Sequence, residues 1–417
     1  MAISYIQRVR VIRRDAWLAM STPATFQLSW YGVSAVTLNL YLLRLGYGLE
    51  FIGLLYSVAA LSYALLSPLI GMLARRRSGR SMMIIGKAVE ALGYLPMALA
   101  AGPWRSAWIL GGVVVMGLGA AIALVNYAPY LVAVTGAAER DQAFAASAAI
   151  VPLAGVAGSL LGGVLPGVFA AALGMTQADP APYRYTVLLG GLLELVAIPL
   201  MLCAQDVPAP QVQSAGGERA SRFPLGIIGA VVLVFALMWV PYGMVNIFLN
   251  VYMDRSLAAP SALIGAWLAV AQALMVLGAL TIPWWVGRWG RFGSIVATLG
   301  IPALGFVLLA LVPQVTVVGA SQALAKAASG IAITILTVYG LEAVAPEWRT
   351  MMSGAMHLAA GFGYSAIALV GGYVIVGWGY AALFAGGVAA AAASSVLFWG
   401  YFRVPRGEQR LTPAPAP

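Results

Sequence analysis

Long apolar runs recur along the whole chain, and they constrain its fold more than any other feature. A helix that crosses a lipid bilayer needs about 20 mostly apolar residues, and twelve such runs lie between charged or Gly- and Pro-rich breaks. They fall near residues 22–43, 51–74, 82–101, 107–132, 143–173, 184–204, 225–252, 261–286, 293–312, 315–342, 351–376 and 379–402. The short connections leave no room for an inserted soluble domain. The predicted fold class is therefore an all-α polytopic membrane protein.

The amino-acid composition excludes a soluble protein. The chain of 417 residues is 62% hydrophobic and 9% charged, whereas a soluble domain carries about 25% charged residues. One cysteine, Cys203, allows neither an internal disulfide nor a metal cluster, and one histidine, His357, allows neither a His-based metal site nor a Ser-His-Asp triad. We therefore expect no cofactor, no metal and no enzymatic activity.

The positions of the cations predict the orientation. With a cytoplasmic N-terminus, 17 arginines fall on the cytoplasmic side and only four, Arg44, Arg105, Arg184 and Arg255, fall outside. Such an excess in short loops marks the cytoplasmic face, and it predicts a multi-pass protein of the inner cell membrane with both termini inside. The net charge of +10 is then explained by orientation toward anionic lipid, so no nucleic-acid partner is needed.

The ends and the middle of the chain differ from the apolar runs. The basic start precedes an apolar run that is too long for a secretory signal and has no clear cleavage site, so we interpret it as a retained first helix. Residues 206–223 are polar and rich in Pro, Gly and Ser, which predicts a cytoplasmic linker between bundles at 1–205 and 224–404. The Pro/Ala tail, 405–417, is predicted to be disordered.

The chain contains an internal repeat. Four landmarks recur in the same order at nearly one offset, which indicates two copies of six spans each, related as parallel repeats. At an offset of 211, Asn39-Leu40-Tyr41 with Arg44 matches Asn250-Val251-Tyr252 with Arg255, and Arg77-Ser78-Gly79-Arg80 matches Arg288-Trp289-Gly290-Arg291; at 209, Arg140 matches Arg349, and Gly162-Gly163 matches Gly371-Gly372.

The segment between spans two and three carries a family resemblance. Gly71-Met72-Leu73-Ala74-Arg75-Arg76-Arg77-Ser78-Gly79-Arg80 resembles the signature Gly-x-Leu-Ala-Asp-Arg-x-Gly-Arg-Arg of the major facilitator superfamily, although it is one residue longer before Gly79 and has an arginine in place of the Asp. The turns at Glu139-Arg140 and Pro346–Arg349 are similar to that family's short cytoplasmic turns. Residues 158–163 resemble a Gly-rich stretch of its drug/proton antiporters, with Ser159 where Pro is usual.

The resemblance implies a secondary transporter. Two six-helix bundles would rock about a central cavity lined by spans 1, 4, 7 and 10, with spans 3, 6, 9 and 12 peripheral. It also implies that two basic loops between spans favour one conformer, while the alternative is that they only mark topology. The loop residues are Arg76, Arg77, Gly79 and Arg80 in the first copy and Arg288, Gly290 and Arg291 in the second.

Two helical faces in the second half are candidates for binding a solute. Gln322, Lys326 and Ser329 follow one face of span 10, where Lys326 offers a positive charge to an anionic group or a carboxylate. On span 7 an aromatic and amide face suits an amphipathic solute. It comprises Trp239, Tyr242, Asn246 and Asn250. The alternatives are a lysine in a static pair or reaching outward and amide hydrogen bonds between packed helices.

The first half offers milder groups and two carboxyls. Gln27 and Tyr31 on span 1, and Asn126 and Tyr130 on span 4, are further cavity candidates, with helix packing as the alternative. Glu90 on span 3, near Lys87, and Glu194 on span 6 are proton-coupling candidates. Placing a carboxyl group inside a membrane costs free energy, so such groups usually have a function. Their alternative role is as structural hydrogen-bond partners.

These features predict a transporter of a small organic, amphipathic solute, with proton-coupled efflux favoured. Gly86-Lys87 is followed by Ala88, so it does not form a phosphate-binding loop, and ATP-driven pumping by this chain is not expected. One alternative is an uptake symporter or facilitator of a small solute, anionic if Lys326 binds it. Another is a non-transporting membrane sensor or scramblase. We expect a monomer whose partners are the solute, the coupling proton and the bilayer.

Overall fold

The computed structural model describes residues 12–73, 77–207, 224–345 and 348–404, and within these ranges it contains helices and no strands. The predicted tail, Arg76 and nearly all of the predicted linker lie outside the described residues.

Nine helical segments precede the linker. The first predicted span is divided, because its α-helical ends flank eight residues in a π-helix, which we call the π segment. The elements are α1 (Arg14–Phe26), the π segment (Gln27–Ser34), α2 (Ala35–Arg44), α3 (Leu49–Leu73), α4 (Gly79–Leu99), α5 (Arg105–Val134), α6 (Ala137–Leu173), α7 (Ala181–Leu195) and α8 (Ala197–Leu202).

Five helices follow the linker: α9 (Leu225–Arg255), α10 (Ser261–Leu280), α11 (Ile282–Leu311), α12 (Val315–Glu342) and α13 (Arg349–Phe402). Two of them change direction at a glycine with positive φ, a conformation that side chains with a Cβ disfavour. These are Gly290 in α11, at φ 65°, and Gly379 in α13, at φ 81°. Gly379 lies at the predicted junction between the last two spans.

The helices are those of a multi-pass membrane protein. Among the described residues, ten helices are long and apolar enough to cross a bilayer. The interrupted stretch Arg14–Arg44 lies outside that set, and α13 is counted once although it turns at Gly379. The total of twelve spans therefore stays a prediction.

The chain divides into two compact units. The first unit comprises the described residues of Met1–Val212 and Ala258–Ala273, and the second those of Gln213–Leu257 and Leu274–Pro417. Helix α10 thus contributes its residues up to Ala273 to the first unit and the rest to the second.

Close glycine contacts hold the π segment against α6. A Cβ on Gly158 would lie 2.9 Å from the Cα of Gly32 and 2.8 Å from the carbonyl carbon of Leu28, so the two backbones touch where a side chain would not fit. In the second copy, a Cβ on Gly243 would meet the Cγ2 of Ile367 at 2.6 Å. Gly243 and Ile367 lie 211 and 209 residues after Gly32 and Gly158, so this contact pair follows the repeat offsets.

A second contact follows the repeat. The Arg140 guanidinium donates to the Val132 carbonyl at 3.4 Å, and the Arg349 guanidinium donates to the Leu341 carbonyl at 3.1 Å. In each pair the arginine lies eight residues after the residue whose carbonyl it binds, and the second pair lies 209 residues after the first. In each copy the arginine therefore satisfies a carbonyl near the end of the preceding long helix.

Candidate functional site

The two polar faces predicted in the second half meet in the second unit. From α12, the Gln322 amide nitrogen lies 3.4 Å from the Val245 carbonyl and 3.4 Å from the Asn250 side-chain oxygen, both on α9. Asn250 and Gln322 are fully buried, and Asn246 is 5% exposed. Asn246 donates to the Tyr242 carbonyl one turn earlier at 2.7 Å. Polar groups on two facing helices therefore converge in a buried region.

Lys326 is the charge in this region. It is 2% exposed, and its Nζ lies 5.9 Å from the centroid of the Tyr242 ring, within the range of a cation–π contact. The Trp239 ring packs edge-on against Tyr242 at 4.8 Å. Within the described second unit, no carboxylate lies within 4.0 Å of the Lys326 nitrogen. Ser329, one turn on, is also buried.

A different arrangement surrounds the lysine of the first unit. Lys87 Nζ donates to Glu90 Oε2 at 2.9 Å and to Glu194 Oε2 at 2.7 Å, and all three side chains are fully buried. We call these three residues the Lys87 triad. The sequence placed Lys87 and Glu90 on one face of α4, and the fold adds Glu194 from α7.

The Lys87 triad contains two carboxyl groups and only one ammonium group. Two carboxyls share one ammonium, and among the described residues the second oxygen of each, Glu90 Oε1 and Glu194 Oε1, has no hydrogen-bond partner. Burying an uncompensated charge is costly. A single proton on either carboxyl would make the triad electrically neutral.

The π segment borders the Lys87 triad. Ser29 donates to the Gly190 carbonyl at 2.7 Å and lies 2.9 Å from the Tyr94 hydroxyl. The Phe26 ring, at the end of α1, has the Lys87 Nζ 5.7 Å from its centroid. Ser29 and Tyr94 are not among the predicted site residues, because neither stands out within its own helix.

The other candidates of the first unit have separate surroundings. Gln27 and Tyr31 are half-buried in the π segment, and the Tyr31 carbonyl accepts from Gln272 of α10 at 3.0 Å. Asn126 donates to the Ile122 carbonyl of its own helix at 2.8 Å. Tyr130 donates to the Gln205 carbonyl at 2.6 Å and belongs to a hydrophobic cluster with Leu131 and Met201.

Gln272 was also absent from the predicted site. Its amide nitrogen donates to the Gly155 carbonyl at 3.2 Å and lies 2.5 Å from Ser159 Oγ, in addition to its bond with Tyr31. It thus joins α10 to both α6 and the π segment within the first unit. A lone amide in the apolar run 261–280 was the available signal.

The predicted gating residues have local roles in the structure. Arg77 is exposed, and Gly79 packs at the start of α4 against Tyr130. Arg288 is exposed in α11, where the predicted loop is instead helix up to Gly290. Arg291 forms an exposed ion pair with Glu342 at the end of α12.

Arg80 closes the end of a helix. Its guanidinium donates to the Met201 carbonyl at 3.0 Å and to the Leu202 carbonyl at 2.7 Å, at the carboxyl end of α8. Cations and donors stabilise these unsatisfied carbonyls.

We expect Arg80→Ala to lower the free energy of unfolding by about 1 kcal/mol, because two charge-assisted hydrogen bonds at a half-exposed position are lost. Thermal unfolding of the purified protein in detergent measures this change, with Arg77→Ala as the control because Arg77 is exposed. An equal loss of stability in both variants would contradict the helix-closing role.

The family model described as Major Facilitator Superfamily matches residues 20–368. The chain belongs to the Major Facilitator Superfamily. No curated protein matches it in sequence. The resemblance carried by the basic loops and the repeat is thereby confirmed at the level of the superfamily.

Solved transporters share the fold. A variant of the nucleoside transporter NupG has a TM-score of 0.75 at 15% identity, covering 94% of this chain and 99% of that one. A bacterial homologue of the human lysosomal transporter Spinster, inward-facing and occupied, has a TM-score of 0.72 at 18% identity, covering 95% and 98%. A structure of proton-dependent oligopeptide transporters has a TM-score of 0.74 at 12% identity, covering 93% and 98%. At these identities the likeness is one of fold.

Proposed function

We propose that the protein is a secondary active transporter that moves a small organic, amphipathic solute across the inner cell membrane by alternating access. The observation that carries the proposal is that this superfamily member buries ionisable groups inside both units, the Lys87 triad in one and Lys326 in the other. Intramembrane charges are costly, and they mark solute and ion pathways. Similarity to the fold of transporters for nucleosides and oligopeptides supports a small polar or amphipathic solute.

Coupling to protons is proposed to reside in the Lys87 triad. Proton binding and release would change the net charge of the triad between 0 and −1. Because the two conformers of the transporter would stabilise these two charge states to different degrees, the proton gradient would drive the change between conformers. The other titratable groups that face the triad in the described first unit are Tyr94 on α4 and Tyr63 on α3. Both are phenols, which release a proton less readily than a carboxyl group, so the two carboxyls are the groups that we propose exchange it.

The direction proposed is efflux in exchange for protons, with both termini in the cytoplasm. The aromatic and amide face of α9 supports an amphipathic solute of the kind that partitions into membranes. Uptake with protons is the second candidate, supported by Lys326, which has no carboxylate partner in the described second unit and suits an anionic solute.

The test is Glu194→Gln in proteoliposomes, because this change removes the surplus carboxyl and keeps the Lys87–Glu90 ion pair. One pH unit supplies about 1.4 kcal/mol per proton, which is about tenfold accumulation of solute in the wild type. We expect Glu194→Gln to lose this accumulation and to keep the exchange of labelled for unlabelled solute. Glu50→Gln, which alters a half-buried carboxyl at the start of α3 outside every candidate set, is the matched control and should accumulate normally.

Three results would count against parts of the proposal. Gradient-driven accumulation in Glu194→Gln equal to wild type would remove the Lys87 triad from coupling. Equilibrating flux in the wild type, unaffected by pH, would replace the coupled carrier with a facilitator. A single distance distribution between spin labels in the two units, unchanged by solute and pH, would argue against alternating access and for a sensor or scramblase.

A further inference from the structure

The two intramembrane lysines, Lys87 and Lys326, differ in their carboxylate neighbours. Lys87 has two carboxylates within 2.9 Å. Lys326 is buried to the same degree, yet the described second unit places no carboxylate within 4.0 Å of it. A buried ammonium is stable only with a counter-charge or a strong set of acceptors. An anionic ligand would supply the counter-charge that the described second unit lacks.

The groups around Lys326 define the chemistry of that ligand. Two side chains of this cluster each have a hydrogen-bonding atom with no partner among the described residues, the indole nitrogen Trp239 Nε1 and the amide oxygen Gln322 Oε1. The Trp239 ring and the Lys326 ammonium both contact the Tyr242 ring, so an ammonium donor and an indole donor lie on one aromatic residue. Gln322 lies one turn before Lys326 on α12 and offers an acceptor.

The walls of the cluster are aromatic. Trp239 packs edge-on against Tyr242 at 4.8 Å and against Tyr364 of α13 at 6.4 Å between ring centroids. Aromatic walls with few polar groups fit a flat apolar body and fix its orientation through the polar end. Asn246 donates to the Tyr242 carbonyl, whereas Trp239 Nε1 has no partner among the described residues, so Lys326 and Trp239 are the donors that we assign to an anion.

We propose that this cluster binds an aromatic carboxylate, with the carboxylate on Lys326 Nζ and Trp239 Nε1 and the ring against Tyr242. A hydroxyl or amide N–H on the same solute would satisfy Gln322 Oε1. The assignment rests on the proposed transport function and names the class of its solute. It also gives Lys326 a counter-charge in the loaded protein, which Lys87 has permanently.

The test uses three probes of one shape and different charge: 2-naphthoate, 2-naphthamide and 2-naphthylmethylammonium. Their binding to the purified full-length protein is measured by calorimetry. We expect 2-naphthoate to bind wild type at least about tenfold more tightly than the amide, which is the contribution of a charge-assisted hydrogen bond. The cationic probe should bind most weakly of the three.

Three variants locate the charge effect. Lys326→Met should weaken 2-naphthoate at least about tenfold and leave 2-naphthamide nearly unchanged, while Lys326→Arg keeps the preference for the anion. Arg403→Met removes an exposed cation just after α13, outside every candidate set, and should match wild type. Should Lys326→Met fail to fold, the comparison of naphthoate with naphthamide on wild type decides the question.

The binding results that would contradict an aromatic carboxylate are different from those that would contradict transport. Equal affinity of the anion and the amide, a preference for the cation, or no binding by any probe would each overturn the aromatic carboxylate. None of them touches the pH-gradient experiment on Glu194→Gln, which tests transport and coupling through the other unit. Conversely, tight naphthoate binding with no flux would leave this site as a binding site and remove the transport proposal.

Discussion

We expect most of the Lys87→Met variant to be unfolded. The change leaves Glu90 and Glu194 fully buried with no cation, and two carboxylates facing each other across α4 and α7. Removing one partner from a buried ion pair costs about 3–5 kcal/mol, because the remaining charge is uncompensated. Unfolding of the purified variant in detergent, followed by circular dichroism, measures the loss. Acidification should restore part of it, because protonating both carboxyls removes the charge.

The matched control neutralises the whole Lys87 triad. Lys87→Met combined with Glu90→Gln and Glu194→Gln has no buried charge, so we expect it to recover most of the stability lost in the single variant. Recovery of stability without recovery of proton coupling would separate the folding role of these residues from the coupling role. A single Lys87→Met variant as stable as wild type at neutral pH would contradict the buried ion pairs.

Gly119→Ala is expected to separate α4 from α5. A Cβ at this position would lie 2.6 Å from the Glu90 Cα and 2.7 Å from the Gly86 carbonyl oxygen, both backbone atoms that cannot rotate away. Overpacking of this kind costs about 1–3 kcal/mol or more. Because the contact is on Glu90 itself, we also expect the proton-driven accumulation of solute to fall more steeply than the stability. Detergent unfolding and proteoliposome flux measure the two effects.

Gly111→Ala is the control for this substitution. It lies on the same helix, and no heavy atom stands within 4 Å of the Cβ that alanine would add. Alanine is the better helix former, so this variant should be as stable as wild type or slightly more stable. Equal destabilisation by both substitutions would show that the helix, and not its contact with Glu90, responds to the change.

The sequence predicted what depends on one helix at a time. The period of the α-helix placed Gln322 and Lys326 on one face and Trp239 and Tyr242 on another, because residues three, four and seven apart share a face. Apolar length predicted the membrane class, and the repeat matched Arg140 with Arg349, which form equivalent hydrogen bonds in the structure. These properties need no knowledge of which helices pack together.

What depends on packing between helices could not be predicted. Glu194 meets Lys87 across 107 residues of chain, and no periodicity within either helix encodes that meeting. Asn126 looked available for a solute, yet its amide bonds the Ile122 carbonyl of its own helix. The π segment was also missed, since the run 22–43 has the composition of an ordinary α-helix and does not encode the close contact with α6 at Gly158.

The two copies of the repeat share the glycine contacts of Gly32 and Gly243 and the hydrogen bonds of Arg140 and Arg349, but they have diverged at their buried lysines. At the offset of 211 that relates Arg80 to Arg291, Lys87 corresponds to Thr298, and at the offset of 209 that relates Arg140 to Arg349, Lys326 corresponds to Gly117. A symmetric pair built from either copy alone would hold two of one kind of lysine and none of the other. Fusion of the copies into one polypeptide is therefore what guarantees that every molecule inherits both, in a fixed ratio of one to one.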